Sequence, residues 1–142
     1  MVQRDGLVHA LKVTDTKAST LMPIIKQFCK ENAHFFTDEL TSYSCLDREG
    51  MKHSVIEHGK KEFSKDGITT NSIEGFWGHF KRMIFGTYHF VSKDYLQRYL
   101  DEAVYRYNTR KADESVRFAD MFCKSIGIVS YDDVKITSIA VA

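Results

Sequence analysis

A chain of 142 residues has the length of one domain, by the usual ~100–200 residues per domain. With 43% apolar and 27% charged residues it has the composition of an ordinary folded globule, which excludes the low-complexity and disordered classes. Twenty Lys and Arg against nineteen Asp and Glu leave a formal charge of +1, so a histone-like polycation is excluded, whereas a local basic patch for nucleic acid is not.

Leu7 to Val13 reads as a strand with Leu7, Leu11 and Val13 on one face. Asp5-Gly6 before it favours positive φ at both positions and so predicts a two-residue hairpin turn. Only Met1 to Arg4 precede that turn, so the chain reads as beginning at the end of a missing strand. Thr16 or Ser19 is expected to cap a helix running to about Lys30, with its regular part starting near Thr20 because Pro23 is tolerated only in a first turn. His34 to Thr37 predicts a short buried strand, Glu39 to Leu46 a short helix, and His53 to His58 another strand. Residues 57–67 are polar and basic and read as a loop. Ser72 to Phe85 predicts a helix that Phe85-Gly86-Thr87-Tyr88 breaks. Ser92 is expected to cap a long helix from Lys93 to about Arg110. Ser115 starts a last helix that Gly127 ends, and the tail from Ile128 is weakly strand-like. Strands and helices in this order indicate an α/β layered domain.

No apolar run approaches the ~18 residues of a membrane helix. The first ten residues carry Arg4, Asp5 and His9 and have no signal-peptide core. Cys29, Cys45 and Cys123 are odd in number and scattered. They suit a reducing cytosol and read as small core residues.

Two carboxylates draw the eye. Asp38 follows directly on the strand predicted at His34 to Thr37, where α/β folds place ligand sites, although position alone favours a cap on the next helix, by Thr37 or Asp38. Glu74 completes a capping box with Asn71. At ~100° per residue Glu74, Gly78, Lys81 and Phe85 share a stripe beside the apolar arc of Ile73, Phe76, Trp77, Phe80, Met83 and Ile84. That arc sets Glu74 at the edge of the buried face. Two such carboxylates could hold a hard cation through oxygen. The histidines, by contrast, have no zinc-ligand spacing.

The ordered set Thr37-Asp38-Glu39, His53 to His58, Thr70-Asn71-Ser72-Ile73-Glu74-Gly75-Phe76-Trp77, Lys81-Arg82, Gly86-Thr87-Tyr88-His89, Ser92 to Tyr99 and Tyr105-Arg106-Tyr107-Asn108-Thr109-Arg110 resembles the catalytic domain of ISXO-two-like insertion-sequence transposases. The resemblance covers about Gly6 to Arg110. It implies a DDE-type enzyme with a ribonuclease-H-like mixed sheet and flanking helices. It implies that Asp38 and Glu74 are the second and third acids of the triad and ligands of Mg²⁺ or Mn²⁺. The 35 residues between them fit the spacing of such enzymes. His58 and Asn71 take supporting roles, and Lys81 and Arg82 face DNA phosphates. The reaction implied is strand cleavage by water and transfer of the freed 3′-hydroxyl to target DNA.

The family's first Asp lies on a central strand upstream of the region with which this chain begins, and neither Asp5 nor Asp15 replaces it by position. The expectation is therefore a single, partial catalytic domain over 1–142 that lacks the first strands of the family fold. Residues 112–142 form a helix and tail outside the motifs. Such a chain would be inactive alone, or would serve as a noncatalytic DNA-binding or protein-interaction remnant. Exposed sheet edges would favour homo-oligomers.

Gly75 to Ala112 carry a net charge of +4 and leave −3 elsewhere, so cations gather in the half that bears Glu74. Arg106 and Arg110 join Lys81 and Arg82 as candidate DNA contacts; the alternative reading of the two is as complements of their helix dipole. The partners expected are transposon ends and target DNA, with no membrane and no small-molecule substrate. The expected place is the cytoplasm, at the nucleoid.

Overall fold

A computed structural model describes residues 1–30, 32–56 and 71–124. An N-terminal hairpin precedes α1 (Ala18–Phe28), β1 (His34–Thr37), a 3₁₀ turn (Thr41–Tyr43), α2 (Ser44–Arg48) and β2 (Lys52–Val55). Then follow α3 (Asn71–Met83), a π-helical turn (Ile84–Tyr88), α4 (Leu96–Asn108) and α5 (Glu114–Lys124). Among the described residues no helix is long and apolar enough to cross a membrane.

The hairpin forms, with Met1 to Gln3 as its first arm. Val2 bridges Val8, and the His9 N–H donates to the Met1 carbonyl at 2.9 Å. Its turn differs from the two-residue form expected. The Gly6 N–H donates to the Gln3 carbonyl, and only Asp5 takes a positive φ, 53°. Asp tolerates this region better than most side chains, so the loop is Arg4-Asp5-Gly6. The second arm does not continue as a strand to Val13. Gln97 of α4 takes up its backbone instead, accepting from Lys12 N–H at 2.7 Å and donating to the Ala10 carbonyl at 3.2 Å. The buried face is also the other one: Val8 is 1% exposed, whereas Leu7 and Leu11 are 51% and 43% exposed. Alternation permits either face, and the position of α3 and α4 selects Val8.

α1 starts at Ala18, two residues before the expected point, and carries Pro23 inside it. Neither Thr16 nor Ser19 caps it. The Asp15 carboxylate does that work, accepting from Lys17 N–H at 2.9 Å and the Thr20 hydroxyl at 2.7 Å. β1 forms over the expected residues but none of them is buried, β2 spans Lys52–Val55 and stops before Ile56 rather than running from His53 to His58, and the two pair in parallel, His34 opposite Lys52 and Thr37 opposite Val55. The helix expected over Glu39 to Leu46 splits into the 3₁₀ turn and α2. α2 ends in a Schellman motif. Gly50 has φ 71°, its N–H donates to the Asp47 carbonyl, and the Met51 N–H reaches back to the Leu46 carbonyl. Leu46, Cys45, Ile25 and Ile56 are buried in this half.

α3 runs on into the π-helical turn, so Phe85 to Tyr88 widen the helix rather than break it, and the chain departs at His89 with φ 59°. α4 starts later than expected, with Tyr95 at its N-cap. Ser92 does not cap it: its buried hydroxyl has no hydrogen-bond partner among the described residues. The main core joins Val8, Phe76 and Ala103, with Phe80, Met83, Val104 and Tyr107 packed around them. α5 begins where expected, its first turn held by the Asp113 carboxylate on Ser115. Of the three cysteines only Cys45 is buried; Cys29 is half-buried and Cys123 is exposed.

The architecture is α/β, as the element order predicts. Among the described residues the sheet has two parallel strands, fewer than the mixed sheet that the resemblance implies. The loop at 57–67, His58, the end of the last helix at Gly127 and the tail lie outside the described residues.

Candidate nucleic-acid and metal site

Parallel pairing puts the C-terminal ends of β1 and β2 on the same side, and Asp38 stands one residue beyond β1. Asp38 is exposed, and its Oδ1 accepts the Leu40 N–H at 3.3 Å. The carboxylate thus opens the turn toward the 3₁₀ segment, the capping role of a short acid after a strand. Tyr43 lies close by. Burial pushes its hydroxyl pKa up, and the charge of Asp38 adds to the rise.

Glu74 lies in the first turn of α3, where a carboxylate complements the positive end of the helix dipole. It is exposed rather than at the edge of a buried face. The buried side of α3 is narrower than the apolar arc suggests. It centres on Phe76, 2% exposed, whereas Trp77 of that arc is 39% exposed and Phe85, in the stripe of Glu74, is 72% exposed. Two residues from Phe76 is ~200° around the helix, so Glu74 falls on the far side. Gly78 leaves open space, as the stripe predicts: a methyl there would meet only the tip of Arg82, at 3.7 Å. Asn71 is the first residue of α3.

Exposed oxygen donors suit a hard cation in kind. In number they fall short: the described residues contain no group of three or more His, Cys, Asp or Glu side chains placed to hold a metal ion.

The cationic residues come together better. A groove of about 500 Å³ runs between α3 with its π-helical turn and α4. Arg82, Arg106 and Arg110 line it with His79, over a floor that includes Phe76, Phe80 and Tyr107. Lys81, also exposed, is not among the lining residues. The widened π turn carries Thr87 and Tyr88 into this groove, a placement that α-helical periodicity does not give. Sequence reasoning also passed over Glu102, which sits one turn from Arg106. It accepts from Arg106 Nε at 2.9 Å and from the Tyr88 hydroxyl at 2.5 Å. That hydrogen bond raises the Tyr88 pKa above its ordinary value. The i,i+4 spacing of Glu102 and Arg106 was the available signal. Arg110 stacks on the Tyr107 ring, 3.9 Å from its centre, and donates to the Tyr107 carbonyl at 2.8 Å. It therefore does complement the end of α4, whereas Arg106 pairs with a side chain.

A family model described as ISXO2-like transposase domain matches residues 1–108. A protein of Haemophilus influenzae described as an uncharacterized transposase-like protein is 27% identical over 117 residues, 82% of this chain and 94% of that protein. No solved structure matches the chain with significance.

Proposed function

The chain belongs to the ISXO2-like transposase domain family, and from that premise we propose that it serves DNA transposition as a catalytic-domain polypeptide of DDE type with a ribonuclease-H-like core. In this reading Asp38 and Glu74 are ligands of Mg²⁺ or Mn²⁺. Arg82, Arg106 and Arg110 hold DNA phosphates along the groove, with Lys81 beside them, and His58 and Asn71 support the site. The observation that carries the reading is the convergence of Arg82, Arg106 and Arg110, from two helices, on one groove. Among the described residues Glu102 is the single carboxylate lining it, and it already bonds Arg106 and Tyr88.

When bound, the cation would neutralise charge at the phosphoryl group and activate the attacking oxygen. The side chains of this chain do the rest. Asp38 and Glu74 supply oxygen donors, and the arginines fix the strand through charge-assisted bonds to phosphate. Partners are transposon-end and target DNA and further copies of the chain, and the expected place is the cytoplasm.

The test is Mn²⁺ calorimetry with Asp38→Ala and Glu74→Ala, run beside duplex-DNA binding followed by fluorescence anisotropy. Mn²⁺ binding abolished by both changes, together with DNA binding, supports the full reading. DNA binding without Mn²⁺ binding would favour a noncatalytic DNA-binding module. Neither activity would overturn the proposal.

A further inference from the structure

The chain leaves the π-helical turn through a sharp bend at His89. His89 has φ 59° and ψ −41°, and the Phe90 N–H donates to the Tyr88 carbonyl at 2.6 Å. This is a γ-turn of the rare, strained form, which a side-chain-bearing residue keeps only where its surroundings impose it. Tyr88 supplies the fixed point. Its hydroxyl donates to Glu102 at 2.5 Å, and its ring packs edge-on against Tyr99 with centroids 4.6 Å apart. Two contacts to α4 therefore anchor the residue before the bend, while the ring just after it stands in solvent. Phe90 is 78% exposed, the most exposed large apolar side chain among the described residues.

Charge decides what that ring meets. Between positions 81 and 98 the cations Lys81, Arg82, Lys93 and Arg98 stand against one acid, Asp94. Thr87 and Tyr88 of the same turn line the arginine groove. An apolar protein surface would cover the ring and leave these cations without counter-charges. Duplex DNA answers both features, since its phosphates meet cations and its base stack admits an apolar wedge. We propose that Phe90 is such a wedge, entering a base step of duplex DNA whose backbone lies along the groove. The inference rests on the reading of the groove as a DNA site, and it adds a distortion of the duplex to that reading. The ring partly unstacks one step and kinks the helix axis. The strained bend holds the ring outward before DNA arrives, so little ordering is left to be done on binding.

The experiment uses the full chain and a short duplex with one central TA step, the kind most easily unstacked, whose adenine is replaced by 2-aminopurine. Anisotropy over a salt series gives affinity and salt slope, and 2-aminopurine emission at saturation reports unstacking. Wild type should raise the emission. Phe90→Ala should bind about five- to tenfold more weakly, with the salt slope unchanged because no phosphate contact is lost, and should leave the emission flat. Phe90→Trp should recover the affinity, since a flat ring returns. The residue is exposed, so thermal melts of both variants should match wild type. Equal affinity for wild type and Phe90→Ala, or a loss of affinity with the emission rise retained, would overturn the wedge while the groove reading stands. So would unchanged DNA binding with a shift of Phe90→Ala to smaller species in sedimentation, which would make the ring a protein contact. No DNA binding by wild type would overturn the groove reading and the wedge with it.

Discussion

Asn108 grips the backbone of Val8. Its Oδ1 accepts the Val8 N–H at 2.8 Å and its Nδ2 donates to the Val8 carbonyl at 3.0 Å, across one hundred residues of chain. Among the described residues, one side-chain amide thereby stands where a strand partner would pair with the second arm of the hairpin on that side. It also pins buried Val8 against Phe76 and Ala103.

Asn108→Ala should therefore cost more than an average substitution. Two hydrogen bonds at about 1 kcal/mol each, plus the penalty of leaving partly buried backbone groups unpaired, predict a loss of roughly 2–4 kcal/mol. Urea unfolding of the two proteins measures it. A loss below about 0.5 kcal/mol would mean that water satisfies Val8 equally well.

Gly78 sits inside α3 with open space where a methyl would go. Gly78→Ala should stabilise the chain by about 0.5–1 kcal/mol, because glycine in a helix interior carries excess unfolded-state entropy. The same unfolding measurement checks it. Destabilisation would reveal a contact that crowds this turn.

Arg82 lines the groove and is exposed. Arg82→Ala should weaken duplex-DNA binding across all sequences and lower the slope of log affinity against log salt by about 0.9, the signature of one lost phosphate contact. Arg110→Ala should lower both DNA affinity and stability, because Arg110 also closes the end of α4. An unchanged salt slope for Arg82→Ala would remove that residue from the DNA path.

The Asp15 carboxylate is held below its ordinary pKa of 3.8 by the Thr20 hydroxyl and, second, by the Lys17 N–H. A folded-state pKa below the unfolded value means a stabilising contribution that is complete above 3.8 and is lost as pH falls through the folded value. Asp15→Ala should thus lower the melting temperature at neutral pH, and the gap to wild type should close as pH drops below 3.8. A gap that stays constant to pH 3 would show that the carboxylate's charge is not the stabilising element.

α5 docks by its polar side. Arg117 and Asp120 are half-buried, and the Tyr105 hydroxyl donates to the Arg117 carbonyl at 3.0 Å. Val116, Phe118, Met121 and Phe122 are 50–65% exposed, with the rings of Phe118 and Phe122 stacked 6.4 Å apart. If this face mediates the proposed self-association, Phe118→Ser with Phe122→Ser should shift sedimentation toward smaller species at equal concentration. Identical profiles would place self-association elsewhere.

The sequence by itself determined most of the element order, the presence of two short strands, a turn at Asp5-Gly6 and the membership of the family; their parallel pairing came from the structure. Those features rest on local signals: turn chemistry at Asp5, the β-rich His34 to Thr37, the helical period from Ile73 onward, and the run of matched motifs. Asp38 at a strand end and the groove arginines Arg82, Arg106 and Arg110 were legible for the same reason. Tertiary structure decided what periodicity leaves degenerate. An alternating segment can bury either face, and α3 with α4 buried Val8 rather than Leu7. An apolar arc wider than its partner surface cannot all be covered, so Trp77 stayed exposed and Glu74, with Phe85 of its own stripe, turned outward. A hydrogen-bonded Thr37–His53–Asp47 path joins β1, β2 and α2 through side chains six to sixteen residues apart, and only the register of the parallel pair brings them within hydrogen-bond reach.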